Sequence, residues 1–287
     1  MLQKYLGTKM LDELRERLIN IEAKQDGNAE EFRVRLANIE KIISGIITNG
    51  VEDDAETDYF KSFTGSSDQS FGHITYSQHG EDMLIANIFS LLNITKPTYL
   101  DVGANHPLKG SNTALLYSRG SHGTIVDANP NLMTAWKEIR PHDVALNVGV
   151  SKEDGELPFY YIDDFSGRNT FDKDLAVAFV TNHPNFKIQK TEKIKTLPIN
   201  KIVSQYLDGK WPDLLSLDVE GLDYDVLESA DFSQNSPTVI CAEILSGEEP
   251  NMEIIDLLVK KGFHPAFRTI ANIIAVNSNA ARALGVI

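Results

Sequence analysis

Residues 98–107 read "TYLDVGANHP": an apolar run goes straight into an acid, a glycine, an asparagine and a proline. A short apolar run cut off by turn-forming residues is the pattern of a buried strand whose loop leads into a helix. In an open parallel sheet, ligands bind beyond the carboxyl ends of the strands, where such a loop lies. The turn after Asp101 is therefore the first place to look for a site.

Working outward, short β-branched runs alternate with helix-like segments from about residue 75 onward, the pattern of a parallel sheet with crossover helices. The spacing predicts strands at 98–102, 123–127, 144–150, 213–218, 238–243, 263–267 and 272–277. Helices are expected at 79–92, 112–119, 130–138, 198–206, 222–229 and 251–261. The last two strands follow one another with no helix between them, so the sheet should end in an antiparallel pair. The fold class read from this is α/β: a Rossmann-like, mostly parallel seven-stranded sheet with helices on both faces. Residues 152–190 lack a clear period and read as an insertion or lid.

Upstream, residues 1–48 carry a heptad seam through Leu11, Leu14, Leu18, Ile21, Gln25, Asn28, Phe32, Ile39, Ile42 and Ile46, with balanced charges around it. A coiled coil that makes the protein a homo-oligomer is the expectation. "QDGN" at 25–28 leaves open a helical hairpin, and an amphipathic helix packed on its own domain is the third reading. Residues 49–72 are acidic, then Gly/Ser-containing, and read as a linker. The main domain spans 73–287.

Composition narrows the partners. A formal charge of -14 repels phosphate backbones and anionic membranes, which argues against nucleic acid. No apolar window reaches the ~20 residues of a membrane span. The single cysteine, Cys241, lies in the apolar run "TVICAEI" and reads as a buried small hydrophobe, consistent with a reducing, cytoplasmic setting.

At the first strand's tip, Gly103 lets the chain approach a ligand, Ala104 and Asn105 follow it as candidate cofactor contacts, and Asp101 supplies an acceptor. The second strand ends "TIVDANP", placing Asp127 and Ala128 where nucleoside-binding folds put a carboxylate that accepts both ribose hydroxyls. A pyrophosphate needs three spaced glycines at such a turn, and only Gly103 stands here. The set suits a nucleoside without a diphosphate, such as S-adenosylmethionine. Taken singly, either acid reads equally as a turn or helix-capping residue.

"YSQHGEDMLIANIF", "YLDVGANHP", "IVDANP", "LLSLDVEGLDYDVLES" and "ANIIAVN", in this order over residues 75–277, resemble the FkbM family of S-adenosylmethionine-dependent methyltransferases. The resemblance implies a class I methyltransferase fold and O-methylation of a saccharide or related small molecule. The chain departs from the family at "HPLKG", where a glycine-rich loop is common, and at Asp127, where glutamate is frequent. It also implies that Asp218, in "SLDVEG", lies beside the transferred methyl. An acid there can align a hydroxyl and take its proton, with Glu220 two residues on. Glu243, ending "CAEI", lies at the adjacent strand tip. The three carboxylates can share a proton or hold a Mg²⁺ ion through oxygen ligands, with Asp218 and Glu243 as the metal pair, and either glutamate can simply cap a helix or pair with a basic residue.

Gln78 and Glu81 match the family's upstream motif and would cover the cofactor's amino-acid end, with helix capping as the alternative. His79 and His106 are the histidines best placed to act as a base, and Arg168, in "FSGRNT", can fork onto a carboxylate or phosphate. Two other functions compete: an NAD-dependent oxidoreductase, which the missing glycine fingerprint disfavours, and a non-catalytic coiled-coil scaffold, which the intact Asp101, Asp127 and Asp218 disfavour.

Overall fold

The structure, a computed structural model, describes residues 75–246 and 249–287. The coiled coil expected at 1–48, the linker at 49–72 and the self-association assigned to the coil lie outside the described residues.

From its start the described chain runs through α1 (Glu81–Leu91), β1 (Tyr99–Val102), α2 (Ala114–Ser118), β2 (Gly123–Asp127), a 3-10 turn (Pro130–Leu132), α3 (Met133–Ile139) and β3 (Val144–Asn147). Next come β4 (Gly149–Val150), β5 (Gly155–Tyr161), α4 (Lys173–Asn182), β6 (Lys190–Leu197), α5 (Ile199–Tyr206), β7 (Leu214–Leu217), α6 (Asp223–Ser229) and β8 (Val239–Glu243). The chain closes with β9 (Leu245–Ser246), β10 (Glu249–Pro250), α7 (Met252–Lys260), β11 (Phe263–Arg268), β12 (Asn272–Asn277) and α8 (Ser278–Ala283).

Seven strands form one sheet in the order β11-β12-β8-β7-β1-β2-β3. The five from β8 to β3 are parallel, while β12 runs antiparallel to β8 and β11 antiparallel to β12. The central strands are apolar throughout because helices cover both of their faces. Alternation then sorts each strand between two cores. Leu100 and Val102 of β1 face α5, α6 and α7, where Ile202, Val226 and Leu258 are buried. Tyr99 faces the other way, toward Ile85 and Phe89 of α1, Leu116 of α2 and Trp136 of α3. Each such large side chain removed from water stabilises the fold by about 1.5–3 kcal/mol.

The chain fills the strands β1, β2, β3 to one side, then returns to the other side of β1 with β7 and β8. The strand order thus reverses at β1, and a crevice opens beyond the carboxyl ends of β1 and β7.

The expected strand 144–150 is two strands in two sheets. Val148 N donates to Asp127 O at 3.1 Å, which ends the pairing with β2, and Gly149 and Val150 then pair with Thr196 and Leu197 of β6. Residues 152–190 supply β5 and α4 of a smaller unit whose sheet has the order β4-β6-β5. They lack a readable period because they bury little: α4 buries only Ala176, and half of β6, with which β5 pairs, is exposed. The helix α8 also goes beyond the sequence reading. Its cap is Asn277, whose Oδ1 accepts from Asn279 N and Ala280 N at 3.1 and 3.0 Å.

Candidate active site

The crevice beyond β1 and β7 is a cleft of about 950 Å³, its open mouth included. Gln78, Asp101, Gly103, Ala104, Asn105, Asp127, Ala128, Asp218 and Glu220 all line it. The tips of β1, β2 and β7 thus bring most of the sequence-selected residues together.

Gly103 has φ +74°, and a Cβ on it would collide with the Asp218 carbonyl. Its glycine is required by the approach of the β1 tip to the β7 tip, where the sequence suggested an approach to a ligand. Two residues with side chains, Asn105 (φ 46°) and Glu220 (φ 51°), adopt the left-handed conformation in the same cleft. Such strain persists only where surrounding contacts enforce it. For Asn105 these are a hydrogen bond from its N–H to Asp127 Oδ2 at 2.8 Å and one from Trp136 Nε1 to its carbonyl at 2.7 Å. For Glu220 it is Thr170 Oγ1, which donates to its carbonyl at 2.8 Å.

Asp127 is buried, and its second oxygen accepts from Asn129 N at 2.7 Å. Each carboxylate oxygen has two lone pairs, so both retain one for a ligand. Burial pushes its pKa up to about 6 against the pull of these two N–H groups. Asp101 is also buried and raised in pKa by burial, opposed by a hydrogen bond from Thr113 Oγ1 at 2.6 Å and by the charge of Arg140.

Arg140 is a residue the sequence reading missed. Its Nη2 donates to Thr113 Oγ1 at 3.0 Å and lies 2.6 Å from Asp143 Oδ2, both side chains of the ion pair being fully enclosed. Its guanidinium also lies over the Trp136 ring, 4.6 Å from the centroid. Removing one partner of a buried pair costs about 3–5 kcal/mol, so Arg140 anchors the floor beneath Asp101.

At the β7 tip, Asp218 is half-buried, and its Oδ1 is fully buried without a hydrogen-bond partner. Burial pushes its pKa up to about 6, the neighbouring Glu243 carboxyl opposing. Burial and the nearby Asp218 charge push Glu243 up to about 10 and Glu220 up to about 8. Burial and the same charge push Asp223, at the start of α6, up to about 7. Crowding of these carboxyls at the β7 and β8 tips thus favours the neutral form most strongly at Glu243. Arg168 Nη1 approaches Glu220 Oε2 at 3.6 Å.

Three assignments from the sequence change. His106 does not line the cleft: its Nδ1 accepts from Leu108 N and Lys109 N, each at 3.0 Å, so it closes a turn and is not placed as a base. Glu81 is buried away from the cleft and accepts from Thr269 Oγ1 at 2.6 Å, Asn272 Nδ2 at 3.0 Å and His79 N at 2.9 Å. Burial raises its pKa, but these bonds outweigh it and hold the carboxyl below the usual range. Glu81 therefore ties α1 to the β11–β12 turn. The Mg²⁺ reading gains no support either. Among the described residues no group of three or more His, Cys, Asp or Glu could hold a metal ion.

The insertion supplies the cleft's cover. Ser166, Gly167, Asn169 and Phe171 line it, and the loop is pinned at both ends. Asn129 Nδ2 donates to Asp164 O at 2.8 Å on the β2 side, and the Thr170 bond to Glu220 holds the β7 side. Asn129 stood in the quoted "DANP"; Asn169 and Thr170 stood in "FSGRNT" without a periodic signal.

A central β1 flanked by β2–β3 and β7–β8, an antiparallel β11–β12 pair and acids at three strand tips define the class I methyltransferase fold. The family model of the methyltransferase FkbM domain matches residues 101–265, more than half of the chain. The chain therefore belongs to the FkbM methyltransferase family. No curated protein matches it in sequence. Solved structures similar to it include methyltransferase FkbM from Methylobacillus flagellatus KT, 11% identical over 63% of this chain and 44% of that one, with a TM-score of 0.39. Another is Burkholderia thailandensis 1,6-didemethyltoxoflavin-N1-methyltransferase with bound 1,6-didemethyltoxoflavin and S-adenosylhomocysteine, 13% identical over 77% of this chain and 84% of that one, TM-score 0.35. TehB from Haemophilus influenzae is 14% identical over 78% of this chain and 67% of that one, TM-score 0.34. This chain spans less than half the length of the Methylobacillus protein. Among the described residues no helix is long and apolar enough to cross a membrane.

Proposed function

We propose that this domain moves a methyl group from S-adenosylmethionine to a hydroxyl of a saccharide or a related small molecule. The observation that carries the reading is the placement of Asp127, Asp101 and Asp218 at the neighbouring tips of β2, β1 and β7 around one cleft. Bound S-adenosylmethionine supplies an electrophilic methyl on a sulfonium. Asp127 accepts the ribose hydroxyls, and Asp101 faces the cationic ammonium of the amino-acid end. Asp218, with one oxygen lacking a partner, receives the acceptor hydroxyl and takes its proton while the new O–C bond forms and the S–C bond breaks. The loop 162–171 excludes water that would compete with the acceptor.

Calorimetry with S-adenosylmethionine tests the first half, and transfer of labelled methyl to a panel of saccharides and simple alcohols tests the second. No binding at millimolar cofactor would sink the reading. Binding with transfer only to amines would sink its O-methyl part.

A further inference from the structure

We infer that Lys109 binds the carboxylate at the amino-acid end of S-adenosylmethionine, and that His106 is a positioning residue that holds the Lys109 turn. The inference rests on the cofactor reading above and deepens it. The cleft has two unlike ends. Toward β3 and β5 its walls are apolar, with Ala128, Leu132, Val148 and Phe159, which suits a flat base. Toward β7 they are polar, with Gln78, Ser111, Asn112 and Ser216. Asp127 lies between, so a nucleoside whose diol meets Asp127 and whose base enters the apolar end directs its tail to the loop 106–112.

That tail carries an ammonium and a carboxylate. Asp101 is available to the ammonium, but Asp101, Asp127 and Asp218 all repel the carboxylate. Lys109 is the one cationic side chain among the residues that line the cleft. Among the described residues it makes no ion pair. The turn that carries it is held from two sides. His106 Nδ1 accepts the Leu108 and Lys109 N–H groups, and Gly110 N donates to Tyr76 O at 2.8 Å. The turn presents Lys109 beside Gln78, which lines the same end of the cleft.

The test compares S-adenosylhomocysteine with 5′-methylthioadenosine, the same nucleoside thioether without the amino-acid tail. Calorimetry at low ionic strength is used because Lys109 is exposed and its charge is screened by salt. Lys109→Gln is expected to weaken S-adenosylhomocysteine about tenfold and leave 5′-methylthioadenosine unchanged, with Lys109→Arg retaining most of the affinity. His106→Ala should weaken the first ligand alone, by a smaller factor. Equal weakening of both ligands, or no change in either, overturns the assignment of the substituted residue. Wild-type protein that binds 5′-methylthioadenosine as tightly as S-adenosylhomocysteine overturns the Lys109 assignment while leaving the nucleoside site standing. Failure to bind either ligand overturns the cofactor reading and this inference together.

Discussion

Asp127 and Asp218 have different proposed tasks, and different neighbours hold them. Asp127 is fixed by two backbone N–H groups and offers the remaining lone pairs outward. Asp127→Asn removes a charged acceptor from a buried site and should cost about 1.5–3 kcal/mol, roughly ten- to a hundredfold in S-adenosylmethionine affinity. Titration calorimetry measures it, and unchanged affinity removes Asp127 from the site. Asp218, proposed above as the base, has a buried oxygen without a hydrogen-bond partner. Asp218→Asn should lower turnover ~10²- to 10⁴-fold with little change in cofactor affinity. Because the base must be ionised and its pKa is pushed up to about 6, wild-type turnover should fall as pH drops through that value. A profile flat from pH 5 to 8 would exclude Asp218 as the base. Both acids were legible in the sequence because each ends an apolar run, whereas the identity of their partners was not.

At the scale of elements, the site depends on how closely β1 and β7 approach. Gly103→Ala places a Cβ against the Asp218 carbonyl at a positive φ, and that carbonyl is backbone that cannot swing away. The variant should lower the melting temperature and weaken cofactor binding together, and a melting temperature equal to wild type would show that the tips separate at no cost. The same crowding sets the carboxyl pattern at the β7 and β8 tips. Burial and the Asp218 charge push Glu243 up to about 10 in the folded domain, against an ordinary carboxyl value when unfolded, so the folded state holds its proton to higher pH. Its contribution to stability is therefore full below the unfolded pKa and is lost as pH rises toward 10. Glu243→Gln should flatten the fall of melting temperature between pH 5 and pH 9, and a slope equal to or steeper than wild type would contradict the raised pKa of Glu243.

At the scale of the whole molecule, the seam from Leu11 to Ile46 needs an apolar surface to cover it. We propose that it pairs between chains and that the methyltransferase domain folds without it. Light scattering on the full chain should report an oligomer. A truncated chain starting at residue 70 should be smaller in assembly and should bind S-adenosylmethionine as tightly. A monomeric full chain, or a truncated chain that fails to fold, contradicts this.

What the sequence determined by itself is the succession of the seven strands of the main sheet with six of its helices, and the acids at three strand tips. Apolar runs report burial one residue at a time, and a doubly covered strand is apolar along its whole length. The tertiary structure alone decided which groups meet. Glu81 finds Thr269 and Asn272 far along the chain, so its charge serves the join between α1 and the β11–β12 turn. Val148 separates two sheets inside one apolar run, which no pattern of hydrophobicity can mark. His106 and Glu243 looked like chemistry by residue type, yet one closes a turn and the other is pushed up in pKa by burial beside Asp218. The reason is the same in each case: hydrogen bonds and charges act over a few ångströms in space, and spacing along the chain carries no record of that distance.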